Sequence, residues 1–326
     1  MRYDTALEVK SWPLRKPFKI SREEHTHADT LICRIWDGTH AGMGEAAGVT
    51  YKGESAASIA AQIEAVVPQI ASGIGRDELQ RIMSPGGARN AVDCALWDLE
   101  AKQSGQTVWR MLDWQPHAVT TVYTVGLASP EQMEQDAAEH RDFPILKVKV
   151  GIGDPIEQIT AIRRGTPEAA IVLDANQAWT VDDLDTYSAR LKALGVEMIE
   201  QPLATDDDEA LRGYESLLPL CADESCDSRA DLDRLDGLYQ LINIKLDKTG
   251  GLTEAVALTE QALAMGFDLM VGNMLGSSLA MAPAFVIAQH CKYVDIDGPL
   301  LQAKDCDHPL VYDHGRVEPF NRKLWG

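Results

Sequence analysis

Asp174 in LDAN, Glu200 in IEQP and Asp223 in ADES each close an apolar stretch of a 326-residue chain. Carboxylates brought together raise one another's pKa, and a bound cation removes that cost. An all-oxygen donor set with room left for water and substrate suits Mg2+. Acids at such positions also serve as helix N-caps, but here three successive stretches repeat the arrangement. Two lysines flank the acids: Lys149 in ILKVKVG and Lys245 in LINIKLDKTGG. Lys147 stands two residues before Lys149. In a strand both leave from one face, while Leu146, Val148 and Val150 leave from the other. Two lysines are poor candidates for burial unless they are paired, so either that face is wet or it lines a site.

The spacing favours a site. Lys149, Asp174, Glu200, Asp223, Lys245, Asn273 and Asp297 follow one another at intervals of 22 to 28 residues, about the length of one βα unit of a barrel. Eight candidate strands carry the pattern: AVTTVYTVG, ILKVKVG, AAIVLDAN, VEMIEQP, LPLCADES, LINIKLDKTGG, FDLMVGNM and KYVDIDG. Several are near-continuous apolar runs, as buried parallel strands are. Helical stretches such as VDDLDTYSARLKALG and LTEAVALTEQALAMG lie between them. An α/β barrel builds its active site at the C-terminal ends of its strands, where these polar residues fall. The expected fold class is α/β, a modified TIM barrel of the (β/α)7β type over residues 116–304. A doubly wound open sheet is the alternative, weakened by the lack of a GxGxxG turn after an early strand.

Residues 1–115 read differently. TALEVKSWPL and DTLICRIWDG predict two antiparallel strands around a loop, KPFKISREEHTHA. ESAASIAAQIEAVVPQI and ARNAVDCALWDLEAKQSG predict helices, the second starting after Pro85-Gly86-Gly87. This is an α+β module, and the tail, residues 305–326, is expected to pack back on it.

In a closed ring of eight, strands four apart are opposite. Lys149 and Lys245 would then face each other across the barrel mouth, with the metal to one side. A substrate carboxylate on the metal would set its α-carbon between two amines. One amine removes a proton and the other returns one, which inverts the stereocentre. The α-proton is weakly acidic and the intermediate is an enediolate, which a divalent cation stabilises. Lys147 would lower the pKa of the base and contact a carboxylate oxygen.

Composition sets the remaining bounds. Hydrophobic residues make up 45% and charged residues 25%, ordinary for a globular protein. A net charge of −20 argues against a nucleic-acid surface. No apolar run is long enough to span a bilayer, and the N-terminus has no signal-peptide core. The six cysteines show no CxxC pair, as free thiols of a cytoplasmic protein would. A GxSxG elbow and a GxxxxGK phosphate loop are both absent.

KVK, LDAN, IEQP, ADES and NIKLDKTGG, in this order and spacing, resemble the enolase superfamily in its muconate-lactonising subgroup. Within it, YVDIDGP resembles the DxD motif of dipeptide epimerases, and ARNAVDCALWDL, CADESC and NIKLDKTGGLTEA are similar to bacterial L-Ala-D/L-Glu epimerases. The resemblance extends over nearly the whole chain, with residues 1–115 as the capping domain. It implies an isomerase using Lys149 and Lys245 as acid/base catalysts with Lys147 beside them, and Mg2+ held by Asp174, Glu200 and Asp223. Asp295 and Asp297 would bind the ammonium of a dipeptide. Both share a strand face, on a strand placed away from the metal side. Arg22 would pair with a substrate carboxylate, and Tyr51 lies in a second specificity loop. A role in recycling cell-wall peptides and a homo-oligomeric state are further implications. Glu23 and Glu24 beside Arg22, and GNMLGSS after the seventh strand, depart from the family pattern and bear on the substrate's side chain. N-acylamino acid racemisation or cycloisomerisation are the alternatives. An N-acyl substrate would leave the two acids of the last strand unpaired.

Overall fold

Strand β6 (Ile145–Lys149) is buried on both faces, so its two lysines have no wet side. It belongs to an eight-stranded parallel sheet whose order is β12-β11-β10-β9-β8-β7-β6-β5. The structure is a computed structural model and describes residues 2–19, 24–151 and 153–326. Its N-terminal part holds β1 (Asp4–Lys19), β2 (Glu24–Trp36) and β3 (Ala41–Ala46), then helices α1 (Ala56–Ala71), α2 (Arg76–Ile82), α3 (Gly87–Ser104) and α4 (Val108–Leu112). After β4 (Val119–Thr120) the barrel strands are β5 (Tyr123–Val125), β6, β7 (Ala170–Asp174), β8 (Val196–Glu200), β9 (Leu220–Ala222), β10 (Leu241–Lys245), β11 (Asp268–Gly272) and β12 (Tyr293–Val294). Between or after them come α5 (Pro130–Glu139), α6 (Pro155–Gly165), α7 (Val181–Ala193), α8 (Leu232–Leu235), α9 (Leu246–Thr249), α10 (Leu252–Ala264), α11 (Ser278–Ala288) and α12 (Gly298–Leu301). The tail adds β13 (Tyr312–Asp313) and β14 (Arg316–Val317).

All eight expected barrel strands are present, and a parallel bridge between Thr121 and Val294 joins the two edges of the sheet. The period of two explains the interior. Val122, Ile145, Val172, Met198, Cys221, Leu241, Met270 and Tyr293 form an apolar plug inside the ring. Two residues further along their strands, Lys147, Asp174, Glu200, Asp223, Asn243 and Asp295 project from the same face. The alternate residues, among them Leu146, Val148, Leu173, Ile199 and Ile244, pack outward against the helices. A dry plug below and a charged layer above is how this barrel fills its centre. On β11 the corresponding position is Gly272, where a Cβ would come within 2.9 Å of Lys245 Cε. The glycine leaves the space that the lysine side chain occupies.

Two expectations need correction in detail. AVTTVYTVG is not one strand: its start, β4, pairs antiparallel with β14 of the tail, and only β5 joins the barrel. The expected loop KPFKISREEHTHA is largely strand, since β1 and β2 continue past a bulge to pair Phe18 with His25 and Lys19 with Glu24. A third strand, β3, completes the N-terminal sheet. Its Gly42 and Gly44 let α3 lie directly against it; a Cβ there would fall 2.1 and 2.2 Å from the carbonyl oxygens of Ala95 and Ala91.

Helix α3 is also the clasp on the barrel. Arg89 donates to the carbonyls of Thr249 (2.6 Å) and Gly250 (3.0 Å), Asp93 accepts from the Thr253 amide (2.9 Å), and Trp97 Nε1 donates to Thr253 Oγ1 (3.0 Å). These bonds satisfy the turn that follows β10. The tail closes on the other side of α3, where Asp98 accepts from the Gly326 amide (2.8 Å) and Trp325 Nε1 donates to the Cys94 carbonyl (3.1 Å).

Asp247, in α9, accepts from the Gly48 amide at 2.8 Å across the same junction. Burial pushes its carboxyl up to about 6, with Glu54 adding to the effect. A raised carboxyl pKa means that the folded chain holds this proton more tightly than the unfolded chain. Its contribution to stability therefore grows as pH falls through about 6 toward the ordinary carboxylate range. The unfolding free energy of the native protein minus that of Asp247→Asn should rise between pH 7 and pH 4 by on the order of 2 kcal/mol. Parallel denaturation curves across that range would contradict it.

Candidate active site

The C-terminal ends of the strands open into a cavity of about 510 Å3. From the barrel, Lys147, Lys149, Asp223, Glu224, Lys245, Asn273, Asp295 and Asp297 face it. Asp174 and Glu200 lie beneath, fully buried. One carboxylate oxygen from each of Asp174, Glu200 and Asp223 falls within 4.8 Å of the others.

Ammonium groups surround this cluster. Lys149 Nζ lies 2.5 Å from Asp174 Oδ2, and Lys245 Nζ lies 2.6 Å from Asp223 Oδ2. Lys147 Nζ touches Glu200 (2.7 Å), Asp174 (3.3 Å) and Asp295 (2.9 Å). The contact with Glu200 Oε2 is one of opposite charges rather than a well-directed hydrogen bond. Lys248 Nζ donates to Asp223 Oδ1 at 2.7 Å, to the Asp223 carbonyl, and to the Asn243 carbonyl at 3.0 Å. Asn243 Nδ2 in turn donates to Glu200 Oε1 at 2.7 Å. Gln201 orders the neighbouring turn. Its Oε1 accepts from the amides of Asp223 (2.9 Å) and Ser225 (3.1 Å), and its Nε2 donates to Ser225 Oγ (2.8 Å) and the Tyr239 hydroxyl (3.1 Å).

The titration of these groups follows from burial and neighbours. Burial, then Asp174, pushes Glu200 up to about 7. Burial would raise Asp223 as well, but Lys245 and Lys248 hold it far below the usual carboxylate range. Asp174 is lowered against its burial by Lys149 and Lys147. For Lys147, burial alone would lower the pKa, yet Asp295 and Glu200 hold it well above the ordinary value. It is a fixed cation. Lys245 also stands above the ordinary lysine range, because Asp223 outweighs burial and the repulsion from Lys147. The repulsion from Lys147 contributes a lowering at Lys245 that Asp223 outweighs. Neutralising the charge on Asp223 is what would bring this amine down.

The three acids suit a divalent cation. Their donors are all oxygen, and two further buried oxygens beside them, Asn176 Oδ1 and Glu224 Oε2, make no hydrogen bond among the described residues. Both residues line the cavity. This donor chemistry fits Mg2+.

The structure thus brings together Lys147, Lys149, Lys245, Asp174, Glu200, Asp223, Asp295 and Asp297. Tyr51 lies at the cavity's outer wall, in a short turn with 37% of its surface exposed. Arg22 and Glu23 lie outside the described residues. Glu24 pairs across the strands with Lys19 and is not part of the cavity lining. The last strand, β12, stands four strands from β8, opposite the middle of the acid cluster, as expected. The long side chain of Lys147 nevertheless bridges Asp295 to Glu200 across the barrel. Lys248, Asn243 and Glu224 were missed. Asn243 shares the inward face of Lys245 by the period of two and was legible; Lys248 follows a helical turn that the strand pattern does not announce. His25 and His27, alternate residues on β2, also line the cavity.

A barrel with cation-binding acids at its centre, amines on opposite strands and a cap over its mouth defines the class: an enzyme for metal-assisted proton transfer. Residues 130–323 match the family model described as enolase C-terminal domain-like, and residues 3–113 match that of the mandelate racemase / muconate lactonizing enzyme N-terminal domain. The chain belongs to this family of the enolase superfamily. It is 41% identical to an L-Ala-D/L-Glu epimerase of Escherichia coli, over 94% of this chain and 97% of that one. It is 46% identical to an N-acetyl-D-glutamate racemase of Pseudoalteromonas sp., over 76% and 79% of the two chains. Among solved structures, an enolase family member from Agrobacterium tumefaciens with homology to dipeptide epimerases matches with a TM-score of 0.97 and 44% identity, covering all of both chains. That structure holds sodium and L-Ala-L-Glu, with an ordered loop.

Binding of Mg2+ should stabilise the fold, because only the folded chain assembles the three acids. At a hundredfold excess over Kd the gain is about 2.7 kcal/mol. Thermal unfolding with and without Mg2+ should show a rise in Tm that is lost in Asp174→Asn. An unchanged Tm in the native protein would remove these acids as a metal site.

Proposed function

We propose that the protein is a Mg2+-dependent epimerase that inverts the α-carbon of the second residue of a dipeptide, with L-Ala-D/L-Glu as the substrate. The observation that carries this reading is the placement of Lys149 on β6 and Lys245 on β10, four strands apart, around one acid cluster in one cavity. The cation supplies positive charge against which the substrate carboxylate can accept negative charge as the α-proton leaves. Lys149 and Lys245 act from opposite faces: one takes the proton, the other delivers one, and their roles exchange with the substrate's configuration. Lys147 stays charged and holds Glu200, Asp174 and Asp295 in one layer. Asp295 and Asp297 receive the ammonium of the first residue.

The side chain of the second residue would lie against the cap. His25, His27 and Tyr51 are on that wall, and Arg22 belongs to the adjoining segment. Met274 and Leu275, from the segment that departs from the family pattern, also line the cavity, so it alters the apolar part of the wall. The relatives named as epimerases of Ala-Glu support the substrate. We also propose a cytoplasmic role in recycling cell-wall peptides, with which the six free cysteines agree.

Lys149→Ala and Lys245→Ala should each reduce epimerisation by a factor of about 1,000 or more, since general acid–base catalysis by one group alone contributes about 100 to 10,000-fold. In D2O each variant should still exchange the α-proton of one stereoisomer, and the two variants should prefer opposite stereoisomers. NMR of each stereoisomer reads this directly. Normal inversion by either variant would remove that lysine from the chemistry.

A further inference from the structure

Each acid of the central cluster presents its two oxygens to different partners. One oxygen of each is held from behind. The Asn176 amide donates to Asp174 Oδ1 at 2.9 Å, Asn243 Nδ2 donates to Glu200 Oε1 at 2.7 Å, and Lys248 Nζ donates to Asp223 Oδ1 at 2.7 Å. The other oxygen of each faces the amines of the barrel mouth. Asp174 Oδ2 meets Lys149 and Asp223 Oδ2 meets Lys245. Glu200 Oε2 lies 2.7 Å from Lys147 Nζ, the same nitrogen that stands 3.3 Å from Asp174 Oδ2, yet it accepts no hydrogen bond among the described residues. Glu200 is fully buried, so that oxygen has no solvent to turn to either.

The donors behind the acids have little freedom. Asn176 has a φ of 44°, a left-handed conformation that asparagine adopts more readily than most residues, and the turn aims its amide back at Asp174. Lys248 is buried, and its ammonium also donates to the carbonyls of Asp223 and Asn243. The Asn243 amide packs against Gly272, where a Cβ would come within 2.8 Å of its Nδ2. A carboxylate held in this way has one oxygen to offer a cation and cannot turn to offer both.

That restriction separates cations by size. Mg2+ takes about six oxygens in near-ideal octahedral geometry and is content with one from each carboxylate, while Ca2+ takes about six to eight and often gains them by gripping both oxygens of an acid. We propose that Asn243 and Lys248, with the Asn176 amide, are positioning residues that tune this site to a small six-coordinate cation and disfavour Ca2+. They act through the acids. The inference goes beyond the dipeptide reading and does not depend on it, since it concerns which ion is held whatever the substrate. Loss of either side-chain donor frees an oxygen for a second contact with a larger ion. A general loosening of the barrel would instead weaken both ions alike.

The test is calorimetric titration of the metal-free protein, without substrate, with MgCl2 and separately with CaCl2. The native protein should bind Mg2+ roughly tenfold or more tightly than Ca2+. In Asn243→Leu, which removes the donor without changing charge, that preference should shrink by roughly tenfold. Lys248→Met should shrink it similarly; the charge it removes strengthens both divalent ions together and cancels in the ratio. Infrared difference spectra of the native protein on adding Mg2+ should show the wide splitting of carboxylate stretches that marks ligation through one oxygen. This last measurement needs no variant to fold. Native protein that binds Ca2+ as tightly as Mg2+, or a narrow splitting that marks ligation through both oxygens, overturns the proposal. Folded variants that keep the native ratio, including variants that weaken both ions alike, overturn it too. Binding of neither ion removes the acids as a metal site and the proposal with it, and leaves the dipeptide reading to be judged by epimerisation.

Discussion

Three carboxylates held within a few ångströms of one another in a dry barrel centre demand positive charge. Asp174, Glu200 and Asp223 receive it from Lys147, Lys149, Lys245 and Lys248, each anchored on a different side of the cluster. Isolated buried ions of either kind would be strongly unfavourable. Together they form a layer that is close to balanced, in which a cation held by the acids would take over contacts that the lysines make. The catalytic readiness of Lys245 depends on the same balance. The carboxylate that raises Lys245 is a carboxylate that a metal would engage. Binding of the cofactor and preparation of the base are thus one electrostatic event.

The rest of the fold keeps that layer in register. The apolar plug beneath it fills the barrel and fixes which strand face is inward. Gly272 concedes volume to Lys245, and Gln201 fixes the turn carrying Asp223 and Ser225. Helix α3 of the cap satisfies the backbone of the turn after β10, through Arg89 and Asp93. The cap therefore does more than cover the mouth: it holds the segment that follows a catalytic lysine. A change in α3 far from the chemistry would be felt at Lys245 through that turn.

Much of this was legible in the chain because strands of a barrel impose a period of two and βα units impose a longer one. Asp174, Glu200 and Asp223 could be placed at successive strand ends, and Lys149 and Lys245 on opposite sides, from spacing alone. Asn243 followed the same rule. What spacing could not show was the reach of one side chain: β12 stands opposite β8, and Lys147 spans the gap between Asp295 and Glu200. That contact makes Asp295 and Asp297 unequal, and no pattern of residue types distinguishes them. Lys248 was hidden for another reason: it belongs to the short helix α9, where strand periodicity stops. The start of AVTTVYTVG read as barrel strand because its pairing partner, β14, lies nearly two hundred residues further along the chain.

Wild-type protein with Mg2+ and L-Ala-L-Glu in D2O, followed by NMR and mass spectrometry, addresses the two-lysine inversion most directly. Loss of the glutamyl α-proton signal, a gain of one deuterium at that carbon, and formation of the L-Ala-D-Glu epimer are the expected result, all abolished by chelation of the metal. Retention of that α-proton, or exchange without any inversion, would contradict it.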